Sequence, residues 1–156
     1  MGLKNGINTI LKYDGNNYTI LEWIKEGGYL EDQPKWRATN HFLDPTVTGS
    51  GRAYPYLPLF TPYAADAWAQ SYFGPQESMA GAPLSTGMPM SIWNAVDYFN
   101  TALSGYNRTG EHVAPTPEDK KAYLAKAMLA LGQVMHLVED MTVPAHVRME
   151  LEAVRR

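Results

Sequence analysis

The chain contains no cysteine. Disulfide frameworks, cysteine-ligated zinc ribbons and thiol catalysis are thereby excluded, and any metal has to be held by His, Asp or Glu. Histidine is scarce as well, with four residues in 156: His41, His112, His136 and His146. No apolar run approaches the roughly 20 residues of a membrane-spanning helix, and the opening MGLKNGINTILKYDG lacks a long apolar signal core. A long basic run is also missing. With 13 Lys and Arg against 16 Asp and Glu, the net charge is -3, and a cationic face for gripping duplex nucleic acid is not expected.

What remains is ordinary globular usage, 45% hydrophobic and 19% charged, in a length that suits one domain spanning residues 1–156. The pattern predicts an all-α fold, with long proline-rich loops and no strand alternation in competition. Leu3, Ile7, Ile10 and Leu11 are spaced for a first helix over residues 3–11. YTILEWIKEGG predicts a second, with Thr19 as its cap and Gly27-Gly28 as its stop. Pro34, Pro45, Pro55, Pro58 and Pro62 then punctuate a long loop region, whose interleaved aromatics favour an ordered, packed course. AADAWAQSYF is predicted helical, and so is MSIWNAVDYFNTALSG, with Ile92, Val96, Phe99 and Leu103 on one face and Gly105 as its end. The strongest helix starts at the Thr116 cap, carries Pro117, Glu118 and Asp119 in its first turn, and sets Leu124, Met128, Leu131, Met135 and Val138 as its core stripe. Gly132 inside that helix costs about 1 kcal/mol against Ala, which predicts a close helix contact there.

The end of this helix, GQVMHLVEDMTVPAHVR, holds the candidate chemistry. His136 and Asp140 are four apart and share one helical face, so an imidazole and a carboxylate can meet one metal ion. The same spacing also suits a plain ion pair. Pro144 is expected to end the helix, with His146 on the turn leaving it and facing the same cavity. Zinc requires at least three protein ligands, and His41, in NHFLDP within the proline-rich region, is the most conspicuous third. Arg37 and Arg52 flank His41 and can meet a phosphate or form surface salt bridges, and His112 reads as an exposed loop residue.

The wording of three motifs, in this order, resembles the zinc-dependent phospholipase C family, which includes single-strand-specific nucleases. These are WIKEGGYLEDQP, NHFLDP, and HLVEDMTVPAH with its His-x-x-x-Asp-x-x-x-x-x-His frame. The resemblance implies an all-helical domain in which up to three zinc ions activate water and bind the phosphate of a phosphodiester. It implies that His41, His136 and Asp140 hold one zinc, that Asp140 bridges to a second metal, and that His146 is the first ligand of a third. In that family the general base is an Asp just upstream of the His-Phe motif. YLED offers Asp32, favoured for its residue type, and Glu31 as its rival.

No His precedes His41, none follows His146, and the closing MELEAVRR reads as a solvated tail. The expectation is therefore an internal fragment or a doubly truncated member with at most one complete zinc site. By resemblance the protein is secreted or periplasmic and takes a phospholipid or other phosphodiester substrate. A nuclease of the same family and a catalytically incompetent helical domain are the alternatives, and an uncovered apolar face would favour self-association.

Overall fold

The computed structural model describes residues 3–33, 35–48, 53, 63–70 and 91–148. They form a helix-rich unit with one small two-stranded sheet, in the order β1 (Ile10–Tyr13), β2 (Asn16–Thr19), α1 (Ile20–Glu31), α2 (Ala65–Gln70), α3 (Ile92–Ser104), α4 (Pro117–Asp140) and α5 (Pro144–Arg148). Short 3-10 turns lie at Gly6–Asn8 and Lys35–Asn40.

The sheet corrects the expectation of a first helix. Ile10 pairs with Thr19 and Tyr13 with Asn16 in an antiparallel hairpin. Its two-residue turn is Asp14-Gly15, with φ of 49° and 78°. Positive φ at both positions matches the right-handed twist of the strands, and Asp-Gly is among the few dipeptides that adopt it readily. The buried Leu11 joins a core cluster with Ile20, Trp23, Leu124 and Ala125, and its carbonyl accepts a 3.0 Å hydrogen bond from the indole of Trp23.

Thr19 caps α1 as expected, in a capping box with Glu22. The helix does not stop at Gly27-Gly28 but continues to Glu31, because those glycines lie against α4. A Cβ on Gly27 would sit 2.0 Å from the Leu129 carbonyl oxygen, and one on Gly132 would sit 2.0 Å from that of Ile24. Only glycine permits this approach, so the close contact predicted from Gly132 is present and its partner is Gly27. The backbone contact offsets the helix propensity lost at each glycine.

The α4 helix starts as read, with Thr116 and Asp119 in a capping box and Pro117 in the first turn. Its buried surface differs from the predicted stripe. Leu124 is buried, but Met135 and Val138 are exposed, and the core positions are Ala125, Ala127, Leu129, Ala130, Gly132, Gln133 and Leu137. The α3 helix shows the same inversion. It ends at a left-handed Gly105 as predicted, yet Val96, Phe99 and Leu103 point outward while Asn94, Ala95, Thr101 and Ala102 are buried. Helices that pack at short range bury their small residues and leave the bulky ones at the rim. The aromatic run at residues 54–62, Arg52, Met79, Met88, Met90, Glu150 and Glu152 lie outside the described residues.

Candidate metal centre

Four segments meet at the C-terminal end of α4. The last turn of α1 supplies Glu31 and its C-cap residue Asp32. The Lys35–Asn40 turn leads directly into His41. α4 presents His136 and Asp140, and α5 presents His146. Pro144 does not simply end a helix. The chain turns at residues 141–143, where Val143 N–H bonds the Asp140 carbonyl at 2.9 Å, and Pro144 then opens α5 at a position that needs no N–H donor. This reversal brings His146 back onto Asp140. The His41 segment is clamped to both neighbours: Leu43 N–H bonds the His146 carbonyl at 3.2 Å, Ala65 N–H bonds the Phe42 carbonyl at 3.0 Å, and the Phe42 and His146 rings lie 5.0 Å apart.

Asp140 stands at the centre. Its Oδ2 is 2.6 Å from His41 Nδ1 and 3.3 Å from His136 Nε2, and its Oδ1 is 3.2 Å from His146 Nδ1. Asp32 approaches from the other side, with Oδ1 3.6 Å from His41 Nδ1 and Oδ2 3.7 Å from His136 Nε2. Burial opposes the charge on Asp140, but His41, His136 and His146 together outweigh it and hold the carboxyl below its ordinary value. Burial likewise opposes protonation of His41, and the Asp140 and Glu31 carboxylates reverse it, so that His41 is pushed up to about 9.

The donor set can be tested for a metal on its own geometry. Asp32, His41 and His136 offer ligand atoms that all lie within 4.8 Å of one another and could hold a metal ion. Asp140 Oδ2, His41 Nε2 and His146 Nδ1 are buried and make no hydrogen bond. The short Asp140 to His contacts are therefore not directed N–H to oxygen bonds, although such pairs normally hydrogen-bond when buried. Ligand atoms of two carboxylates and two imidazoles that converge on one point suit a shared cation, which would take the place of the proton that Asp140 and Glu31 hold on His41 in the metal-free chain. A tetrahedral zinc ion about 2.1 Å from its donors sets them about 3.4 Å apart, close to the 3.3, 3.6 and 3.7 Å of the Asp140–His136, Asp32–His41 and Asp32–His136 contacts and longer than the 2.6 Å between Asp140 and His41. Oxygen and imidazole ligands without sulfur fit zinc among other divalent ions.

The sequence reading brought His41, His136, Asp140 and His146 to this place, and the structure assembles all four. It brings Asp32 within 3.6 Å of His41 and 3.7 Å of His136, with its side chain 50% exposed. Glu31 is corrected more sharply. It is 0% exposed, and its oxygens accept from Trp68 Nε1 at 2.7 Å and from Arg37 Nη2, so its carboxylate is engaged inside the fold. Arg37 is neither a surface residue nor a phosphate ligand, being buried on Glu31. His112 is exposed and stacks on Tyr106 at 4.6 Å, outside the group. The Glu31, Arg37 and Trp68 network was not foreseen, since nothing in local spacing links residues 31 and 68. No helix among the described residues is long and apolar enough to cross a membrane. No family model, curated protein or solved structure matches the chain, so the chemistry of the site rests on its own residues.

Proposed function

We propose that the chain carries the metal centre of a zinc-dependent phosphodiester hydrolase of phospholipase C type. The observation that supports this reading most is the convergence of Asp32, His41, His136 and Asp140 with short contacts and no mutual hydrogen bonds. His41, His136 and Asp140 would hold zinc with a fourth position left for water, and the ion would supply a bound water with its pKa lowered to about 7 and neutralise charge on phosphoryl oxygens. Asp140 directs one oxygen to His41 and His136 and the other to His146, the arrangement a bridging carboxylate needs. The half-exposed Asp32 and the partly exposed His136 leave the group open on one side, as catalytic rather than closed structural sites require. On that side Asp32 is the residue placed to orient an incoming hydroxyl or water and to accept its proton.

The test is zinc content per chain after exhaustive dialysis, on the wild type and on the His136→Ala/Asp140→Ala double variant, followed by hydrolysis assays. About one zinc or more, lost in the variant, with cleavage of a chromogenic phosphocholine diester, is the expected result. Cleavage of single-stranded DNA instead would assign the nuclease chemistry. Wild-type protein that retains no zinc would overturn the proposal.

A further inference from the structure

We infer that Glu31 is a positioning residue of the metal centre, holding His41 with Nε2–H directed inward so that Nδ1 is left as the metal ligand. This rests on the metal-binding reading above. A histidine that binds metal through one ring nitrogen carries its proton on the other, and the group facing that second nitrogen selects the tautomer and fixes the ring. His41 Nδ1 is the atom in contact with Asp140 and Asp32, at 2.6 and 3.6 Å. His41 Nε2 points the opposite way, is buried, and lies 3.8 Å from Glu31 Oε1.

The carboxylate at that position is itself immobilised. Trp68 Nε1 donates to the same Oε1 at 2.7 Å, Arg37 Nη2 donates to Oε2, and Arg37 Nε donates to the Glu31 carbonyl at 3.1 Å. Asn40 ties the intervening turn to the Trp68 segment, its Nδ2 donating to the Arg37 carbonyl at 3.3 Å and its Oδ1 accepting from Tyr63 N–H at 2.7 Å. The turn at Lys35–Asn40 thus closes on itself and returns His41 to Glu31, which precedes it by about three helical turns' worth of chain. A buried Glu–Arg pair alone would be ordinary packing. What singles out this pair is that its Trp68-bonded oxygen is also the one facing the outer nitrogen of a ligand histidine.

The experiment measures zinc affinity by competition with a chromogenic chelator in the wild type, Glu31→Gln, Glu31→Gln/Arg37→Met and His136→Ala. The double variant keeps an acceptor for Trp68 and leaves no unpaired buried guanidinium. Both Glu31 variants are expected to bind zinc about 10- to 100-fold more weakly and to shift the visible spectrum of the cobalt-substituted protein, and the double variant is expected to melt like wild type in EDTA. Nitrogen-15 NMR of the zinc-loaded wild type should show His41 bound through Nδ1 and protonated at Nε2. Wild-type affinity in both Glu31 variants, with binding weakened in His136→Ala, would overturn the role of Glu31 and leave the metal reading standing. Ligation through Nε2, or loss of fold in both Glu31 variants in EDTA, would also overturn it. Failure of the wild type to bind zinc would overturn both readings.

Discussion

Individual residues carry both cost and stability in this molecule. Gln133 is fully buried in α4, and neither its Oε1 nor its Nε2 has a hydrogen-bond partner. A buried amide left unpaired costs about 1–3 kcal/mol, whereas an apolar side chain of similar shape does not. Gln133→Met is therefore expected to raise stability by about 1–2 kcal/mol in urea denaturation with EDTA present; a lower stability would show that the amide is needed where it is. His41 and Asp140, by contrast, stabilise the fold through their charges. His41, pushed up to about 9 from 6.5, contributes stability that is fully present below pH 6.5 and fades as pH rises through 9. Asp140, held below 3.8, contributes above that pH and is lost on further acidification. The metal-free chain should thus be most stable between about pH 4 and 6.5, and denaturation midpoints across pH in EDTA measure it. An equal midpoint at pH 6 and pH 9 would count against the arrangement.

The elements depend on their ends and their narrowest contacts. Thr116 accepts from Asp119 N–H at 3.1 Å and donates to its carboxylate, so Thr116→Ala is expected to cost about 1 kcal/mol. That residue was legible because capping is local, with donor and acceptor three positions apart. The crossing of α1 and α4 was only half legible. Gly132 signalled a close contact, but Gly27 read as a stop, because its partner lies far away in the chain. Gly27→Ala and Gly132→Ala each place a methyl 2.0 Å from a carbonyl oxygen of the facing helix and should cost about 3 kcal/mol or more. Chemical denaturation would reveal an easily relaxed contact if either variant were neutral. The outward Val96, Phe99 and Leu103 follow from the same rule: periodicity marks an apolar stripe, but backbone proximity decides which stripe is buried.

Across the whole molecule, the centre joins α1, the His41 segment, α4 and α5, elements spread over most of the chain. A ligand that binds only the folded state stabilises it by mass action, about 4 kcal/mol at a thousandfold excess over its dissociation constant. Zinc should therefore raise the melting temperature by about 10 °C relative to EDTA, and calorimetry of the His136→Ala/Asp140→Ala variant should show no such difference. An unchanged wild-type melting temperature would mean that the folded chain does not bind zinc, against the metal reading.

By itself the sequence determined the residue types of the centre and several element boundaries. With no cysteine, a metal had only His, Asp and Glu to meet, and His136 and Asp140 share a face by helical period alone. The Asp14-Gly15 turn was also written locally, although the apolar spacing of residues 3–11 masked it. Only the tertiary structure decided that Asp32 faces His41 and His136 while its neighbour Glu31 turns inward to Arg37 and Trp68. That choice depends on where α2 and the His41 segment dock against α1. Docking is set by packing and hydrogen bonds between residues far apart in the chain, which local spacing does not encode.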